Sequence, residues 1–591
     1  LVILIFLLHV RSSLVAIITL PLGVLGAFMV MSFQGVTANI MSLGGIAIAI
    51  GAMVDASIVL VENASRKLSE FEGKPSPQAH NAALLEAAQE VGPGIFFSLL
   101  IITVSFLPVF ALTGESYRLF SPLAYTKTYS MAFAAILSVT LVPVLMLYLM
   151  RGKFRREEAN PPNAFFVWLY KPILHVALRF KWLTVAFAMI LTASVIIPAQ
   201  RVGTELMPAL YEGELLYMPT TLPGVSATKM REILGQTNRV ILTVPEVEHV
   251  FGKAGRAETA TDPAPLTMIE TWIKLRPKEE WRAGVAIDDI IGQLDERLQM
   301  PGLVNSWGYP IKIRMDMVST GVRTPVGVKV TGDNLAEIES IARNIESVIA
   351  GIPGTRSAFA DRVLGGKYLE ITPDRTDLAR HNIDMGVFQA VVQTALGGMK
   401  LSQSVEGRER YDIILRYDRQ FRESPDDLEN ILVPTPMGAH IPLGELATIR
   451  YAEGPPMIRS ENARLTGWVF VDLEGRDMGG YVAEARAAVA DVVNLPPGYA
   501  VEFAGQYEQL EEANARLKVA IPAAVTLIFL LLMLHFGRLD RTLIIMASLP
   551  FGLVGGMWAV WLAGYNLSVA VAVGFIALGG IAVETAVIML L

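Results

Sequence analysis

Eight stretches of this chain are long and apolar enough to cross a bilayer, and that excludes most folds at once. Hydrocarbon offers no partner to a free peptide N–H or C=O, so a crossing segment must be a helix of about 20 apolar residues or part of a closed barrel. The stretches lie near 13–33, 38–61, 92–113, 128–149, 182–199, 517–536, 541–563 and 568–591, and residues 1–9 read as the end of another. Each is far too long for a barrel strand. Both ends of the chain fall inside apolar runs, which predicts an incomplete chain.

Between residues 200 and 515 charge returns and the apolar runs shorten. An insert of about 315 residues is too long for a loop and must fold by itself. Residues 214–218 and 326–330 read as strands, and 225–240 and 335–349 as helices. Alternation of this kind builds small α/β sandwiches. The expected domains are therefore membrane helices over 1–199, an α/β insert over 200–515, and membrane helices over 516–591.

Basic residues gather in the short loops 9–12, 66–74, 151–181 and 538–541. The positive-inside rule puts these loops, including the amphipathic segment 151–181, in the cytoplasm and the insert on the opposite side. Net charge is only -7, so nothing points to nucleic acid.

The chain repeats itself. An offset of 529 residues carries Pro21 onto Pro550, Gly23 onto Gly552, Gly26 onto Gly555, Gly35 onto Gly564, Gly45 onto Gly574 and Gly51 onto Gly580. The same register carries Asp55 onto Glu584. Transporters are commonly two such halves with the working site between them. A parallel repeat predicts a second outer domain before residue 1 and further helices after 591.

Asp55 and Glu584 are acids within apolar spans, where a charge costs about 2.5–3.5 kcal/mol. Such groups suit proton loading, although a permanently paired structural acid satisfies the same pattern. Glu62, with Asn63 and Arg66, reads as a solvated helix end. Lys127 reads as a residue that snorkels to the interface, with tuning of the acids as the second reading. Gly44, Gly45 and Gly51 read as close-packing positions.

Cysteine is absent, which removes disulfides, thiolate metal sites and thiol catalysis. Methionine occurs 24 times. Met218, Met268 and Met317 stand in distinctive settings in the insert. If they converge, three thioethers make a site for Cu(I) or Ag(I) and a poor one for Zn(II) or Co(II). Spacing alone favours three unrelated core methionines. No Gly-x4-Gly-Lys-Ser/Thr motif is present, so nothing marks ATP hydrolysis within the chain.

The stretch Asn39-Ile-Met-Ser-Leu-Gly-Gly-Ile-Ala47, followed by Gly51-Ala-Met-Val-Asp55 and Glu62-Asn63, resembles the fourth membrane helix of resistance-nodulation-division pumps. Arg118-Leu-Phe-Ser-Pro-Leu-Ala-Tyr-Thr-Lys-Thr-Tyr129, Leu215-Leu-Tyr-Met-Pro219 and Val318-Ser-Thr-Gly-Val-Arg-Thr-Pro325 extend the likeness over the whole length, to the heavy-metal efflux branch and its copper/silver type. The resemblance implies a polytopic helical fold with periplasmic porter and docking domains in a bacterial inner membrane, and a secondary transporter rather than an enzyme. It implies a homotrimer working with a periplasmic adaptor, an outer-membrane channel and a possible periplasmic metal carrier. No cofactor is implied; the substrate is Cu(I) or Ag(I) and the coupling ion is the proton.

The resemblance also assigns residues. Asp55 and Glu584 match the proton relay, whose further Lys lies in a later helix. Met218, Met268 and Met317 match a three-methionine metal site, which reverses the reading from spacing. Glu212, Asp262, Glu270, Arg314 and Arg323 match charged residues of the same cleft, Arg323 standing where the copper type has Lys. Met53 and Met131 match one pair of a methionine ladder, Met41 half of another, and Met146 half of a third whose partner position here is Leu60. Met399 lies beside, not at, a further methionine position. Divalent Zn, Co or Cd efflux is the alternative within the branch.

Overall fold

The computed structural model describes residues 4–5, 9–71, 76–152, 161–208, 211–255 and 264–590. Asp262 lies outside the described residues.

Among the described residues seven helices are long and apolar enough to cross a membrane: Val10–Phe33, Ile40–Ser69, Pro77–Ala111, Lys181–Ala199, Gln506–Phe536, Leu539–Leu562 and Val569–Leu590. An eighth span is broken, Gly114–Val139 and Leu141–Leu149 meeting at 50°. Pro143 explains the break: it has no N–H for the carbonyl of Val139, and its ring crowds the turn before it. The eight stretches read from the sequence are these eight. The boundary expected at 515/516 falls inside one continuous helix, Gln506–Phe536, whose first turns are polar.

Helix Gly114–Val139 is the hub of the first bundle, packing on Val10–Phe33, Ile40–Ser69 and Pro77–Ser105. Its approach to Ile40–Ser69 depends on Gly45, where an added Cβ would fall 2.5 Å from the Leu123 carbonyl oxygen. Gly44 and Gly51 have open space at the same position, so of the three glycines only Gly45 is a contact. The sequence repeat is not matched by equal packing. Gly574, the counterpart of Gly45, is open, whereas Gly580, the counterpart of Gly51, lies against Ser105 and Ile102. At the basic end Asn63 bonds the Ala87 carbonyl and Glu90 at 3.2 Å each, and Lys67 pairs with Glu86 and Glu90. That end is thus clamped between two helices through Asn63 and Lys67, while Glu62 and Arg66 stay exposed, as expected of a solvated helix end.

The insert contains two sandwiches. The first sheet runs Val247–Ala254, Ile269–Leu275, Glu214–Tyr217, Trp307–Gly308, antiparallel throughout. Helices Ala227–Ile241 and Ile287–Arg297 cover one face through Leu215, Tyr217, Ile273 and Leu275. The second sheet centres on Arg464–Leu473 and Val326–Gly332, covered by helices Leu335–Ala350 and Met478–Val492. A third, smaller cluster is built around Phe388, Val433 and Leu443. From it projects a hairpin, Met399–Glu406 paired with Glu409–Leu415, that is exposed almost throughout.

Candidate functional site

Side chains alternate across a strand, and that alternation places the first methionine. In Glu214–Tyr217, Leu215 and Tyr217 face the helix-covered side of the sheet. Leu216 and the following Met218 therefore face the other. The neighbouring strand repeats the pattern: Met268 and Trp272 share that second face, with Glu270 between them, while Ile273 and Leu275 join the helix side. Met268 is fixed at the strand entrance by its N–H to the Pro265 carbonyl, 3.0 Å, and by a bridge to Thr220.

Helix Pro310–Thr320 closes over this face. Pro310 opens it without losing a needed N–H, and Gly321, at φ 74°, ends it in the left-handed conformation that glycine tolerates. The Glu212 carboxylate accepts from the N–H groups of Ile311 (3.0 Å) and Lys312 (3.3 Å), capping the first turn. Ile313 and Met317 stand one turn apart and point at the sheet. The outcome is one cluster of Met218, Met268, Met317, Leu216, Ala264, Ile313 and Trp272. Met218 is 1% exposed and Met268 5%.

Charge surrounds the sulfurs. Glu270 is buried, and its Oε2 receives Arg314 at 2.7 Å with Lys253 at 3.6 Å. Arg314 also lies over the Trp272 ring, 5.4 Å from its centroid. Arg323 donates to the Met268 sulfur at 3.7 Å and to the Thr220 hydroxyl at 2.6 Å. Burial pushes its guanidinium down to about 10, which leaves it cationic at neutral pH. Asp316, beside Met317, is buried and raised from the usual carboxylate range by that burial, against the pull of Lys312 at 3.1 Å. Neither Trp272 nor the Asp316 contacts were singled out from sequence; strand parity with Met268 would have found the tryptophan.

A second constellation lies within the membrane helices. Glu584 is 4% exposed and lies within electrostatic reach of both Asp55 and Lys127. Asp55 is exposed in the described chain, and its carboxylate is still within electrostatic reach of Glu584. It sits on the opposite stripe of its helix from the buried Met53, Ala56 and Leu60. The snorkelling expected of Lys127 is also corrected. Lys127 is 2% exposed, its ammonium lies 3.5 Å from the centroid of the Phe106 ring, and its Nζ has no hydrogen-bond partner among the described residues. It begins no helix: it lies in the middle of Gly114–Val139 and on its buried side.

The ladder residues separate into groups. Met53, Met131 and Met146 are buried in one cluster that also holds Leu60. Met41 packs at the far end of its helix against the cluster of Phe106, Phe120 and Leu510. Met399 is 44% exposed at the foot of the projecting hairpin, outside the three-methionine cluster.

The AcrB/AcrD/AcrF family matches residues 1–591. The chain is 48% identical to the cation efflux system protein CusA of Escherichia coli (strain K12) over 591 residues, covering 99% of this chain and 56% of that protein. The putative cation efflux system protein SilA of Salmonella typhimurium gives the same identity and coverage. Among solved structures, the crystal structure of a heavy metal efflux pump superposes with TM-score 0.84 at 29% identity, covering all of this chain and 57% of that one. The chain thus spans little more than half the length of the curated relatives it matches.

Proposed function

Because the chain belongs to the AcrB/AcrD/AcrF family, here in its heavy-metal efflux branch, we propose that it forms the central part of a proton-driven exporter of Cu(I) or Ag(I). The observation that carries this reading is the gathering of the buried Met218 and Met268 with the partly buried Met317 in one cluster. Thioethers are soft, uncharged ligands that need no deprotonation, and they select monovalent copper or silver over Zn(II) or Co(II). The divalent alternative calls for His and carboxylate ligands, and among the described residues no group of three or more His, Asp or Glu is arranged to hold an ion.

In this mechanism the ion, delivered by a periplasmic carrier or by the adaptor, enters between helix Pro310–Thr320 and the sheet. Asp55 and Glu584 load and unload protons as access alternates between the two sides of an inner membrane. Lys127 lies within electrostatic reach of Glu584, where it favours the ionised form of that acid. The outer region then releases the ion toward an outer-membrane channel, within a homotrimer. The direct test is silver-dependent proton movement in vesicles carrying the full-length protein. Asp55→Asn is expected to bind silver and fail to move protons. Proton-coupled silver transport by that variant would defeat the reading.

A further inference from the structure

The Met268 thioether already has an occupant. Arg323 Nη1 lies 3.7 Å from the sulfur and directs a hydrogen bond at it, while Nη2 is anchored on the Thr220 hydroxyl at 2.6 Å. Its guanidinium carbon sits 4.4 Å from the centroid of the Phe470 ring, and Nε is buried with no partner among the described residues. The side chain is therefore held by two weak contacts and one strong one, with a donor to spare. That N–H engages one of the two lone pairs of the sulfur and fills the space in front of it. Two unit charges about 4 Å apart also repel strongly in a partly buried site.

We propose that Arg323 is a built-in competitor for the soft-ion site, occupying Met268 in the empty state and yielding it when Cu(I) or Ag(I) binds. The inference rests on the methionine cluster being that site. A second seat for the guanidinium is at hand. Asp361 lies within electrostatic reach of Arg323 and lines, with Thr220, Thr267, Phe359 and Arg459, the cavity next to the methionine cluster. Asp361 is held at present by Arg459 at 3.1 Å. Withdrawal of Arg323 toward Asp361 admits the ion. Its return displaces the ion from Met268, which gives a transporter a means of release that three good soft ligands alone would lack. Competition of this kind lowers affinity in exchange for turnover.

The test is calorimetric titration of Ag(I) into the purified full-length protein, with Arg323→Gln and Asp361→Asn beside wild type. Arg323→Gln keeps a donor for Thr220 and removes the charge. It is expected to bind Ag(I) at least tenfold more tightly and to release it more slowly in stopped-flow exchange. Asp361→Asn removes the second seat and is expected to bind several-fold more weakly, an opposite sign that general damage to the fold would not give to the pair. Unchanged or weaker binding by Arg323→Gln would overturn the competitor role while leaving the site intact. Wild-type affinity in Met268→Ile would instead overturn the site reading beneath it.

Discussion

Gln506 donates a 2.7 Å hydrogen bond to the carboxylate of Asp316, and both side chains are buried. Asp316 precedes Met317 on the helix that covers the methionine cluster. Gln506 is the first residue of Gln506–Phe536, a helix that continues into the membrane region and packs on Pro77–Ser105. The same residue's N–H bonds the Pro325 carbonyl at 3.2 Å, two residues beyond Arg323. One residue, through its side-chain amide and its backbone N–H, thus ties both the covering helix and the Arg323 segment to a spanning helix.

Gln506→Ala is expected to separate binding from transport. Removing a donor from a buried carboxylate costs about 1–3 kcal/mol of stability. Silver binding at the methionine cluster should persist, whereas silver-driven proton flux in vesicles should fall steeply. Full flux in that variant would mean that the two regions communicate elsewhere.

Lys127→Gln is expected to abolish proton-coupled transport while leaving silver affinity at wild-type level. A lysine that merely anchored its helix at the interface would be replaceable by glutamine with little loss. Comparing flux with calorimetric affinity in one preparation decides between the two.

Asp472 gives the α/β region a pH dependence of its own. It is buried, and burial raises its carboxyl from 3.8 to about 6 against the attraction of Arg356. The folded protein therefore holds this proton more tightly than the unfolded chain does, so stability falls as pH rises from about 4 through about 6. The loss at neutral pH is on the order of 2–3 kcal/mol. Asp472→Asn should flatten that slope in unfolding experiments between pH 4.5 and 7.5; an unaltered slope would assign it to other groups.

Gly45→Ala should destabilise the first bundle by about 1–3 kcal/mol, because the new methyl must push the Leu123 backbone away. Thermal unfolding in detergent reads the effect directly. An unshifted midpoint would show that the helices separate without cost.

The spans were legible from sequence because hydrocarbon leaves the backbone one economical solution. Strand alternation around Leu215, Leu216, Tyr217 and Met218 was equally open to reading, and it fixes which residues share the methionine face. Their meeting with Met317 was not legible from spacing and came only from the resemblance, since it depends on where Glu212 and Pro310 start the covering helix. Lys127 misled because a lone lysine in an apolar run looks the same whether it ends a span or sits within one. The glycine repeat displayed a symmetry that the packing of Gly45 and Gly580 breaks.

The central claim is that the sulfurs of Met218, Met268 and Met317 form one soft-ion site. It is tested most directly by titrating Ag(I) and Zn(II) into the full-length protein and into Met218→Ile, Met268→Ile and Met317→Ile, each isosteric enough to keep the cluster filled. The account predicts tight Ag(I) binding and no Zn(II) binding at this site in wild type, with at least a tenfold loss of Ag(I) affinity in every variant. Wild-type silver affinity in all three, or zinc binding that the same substitutions abolish, would contradict it.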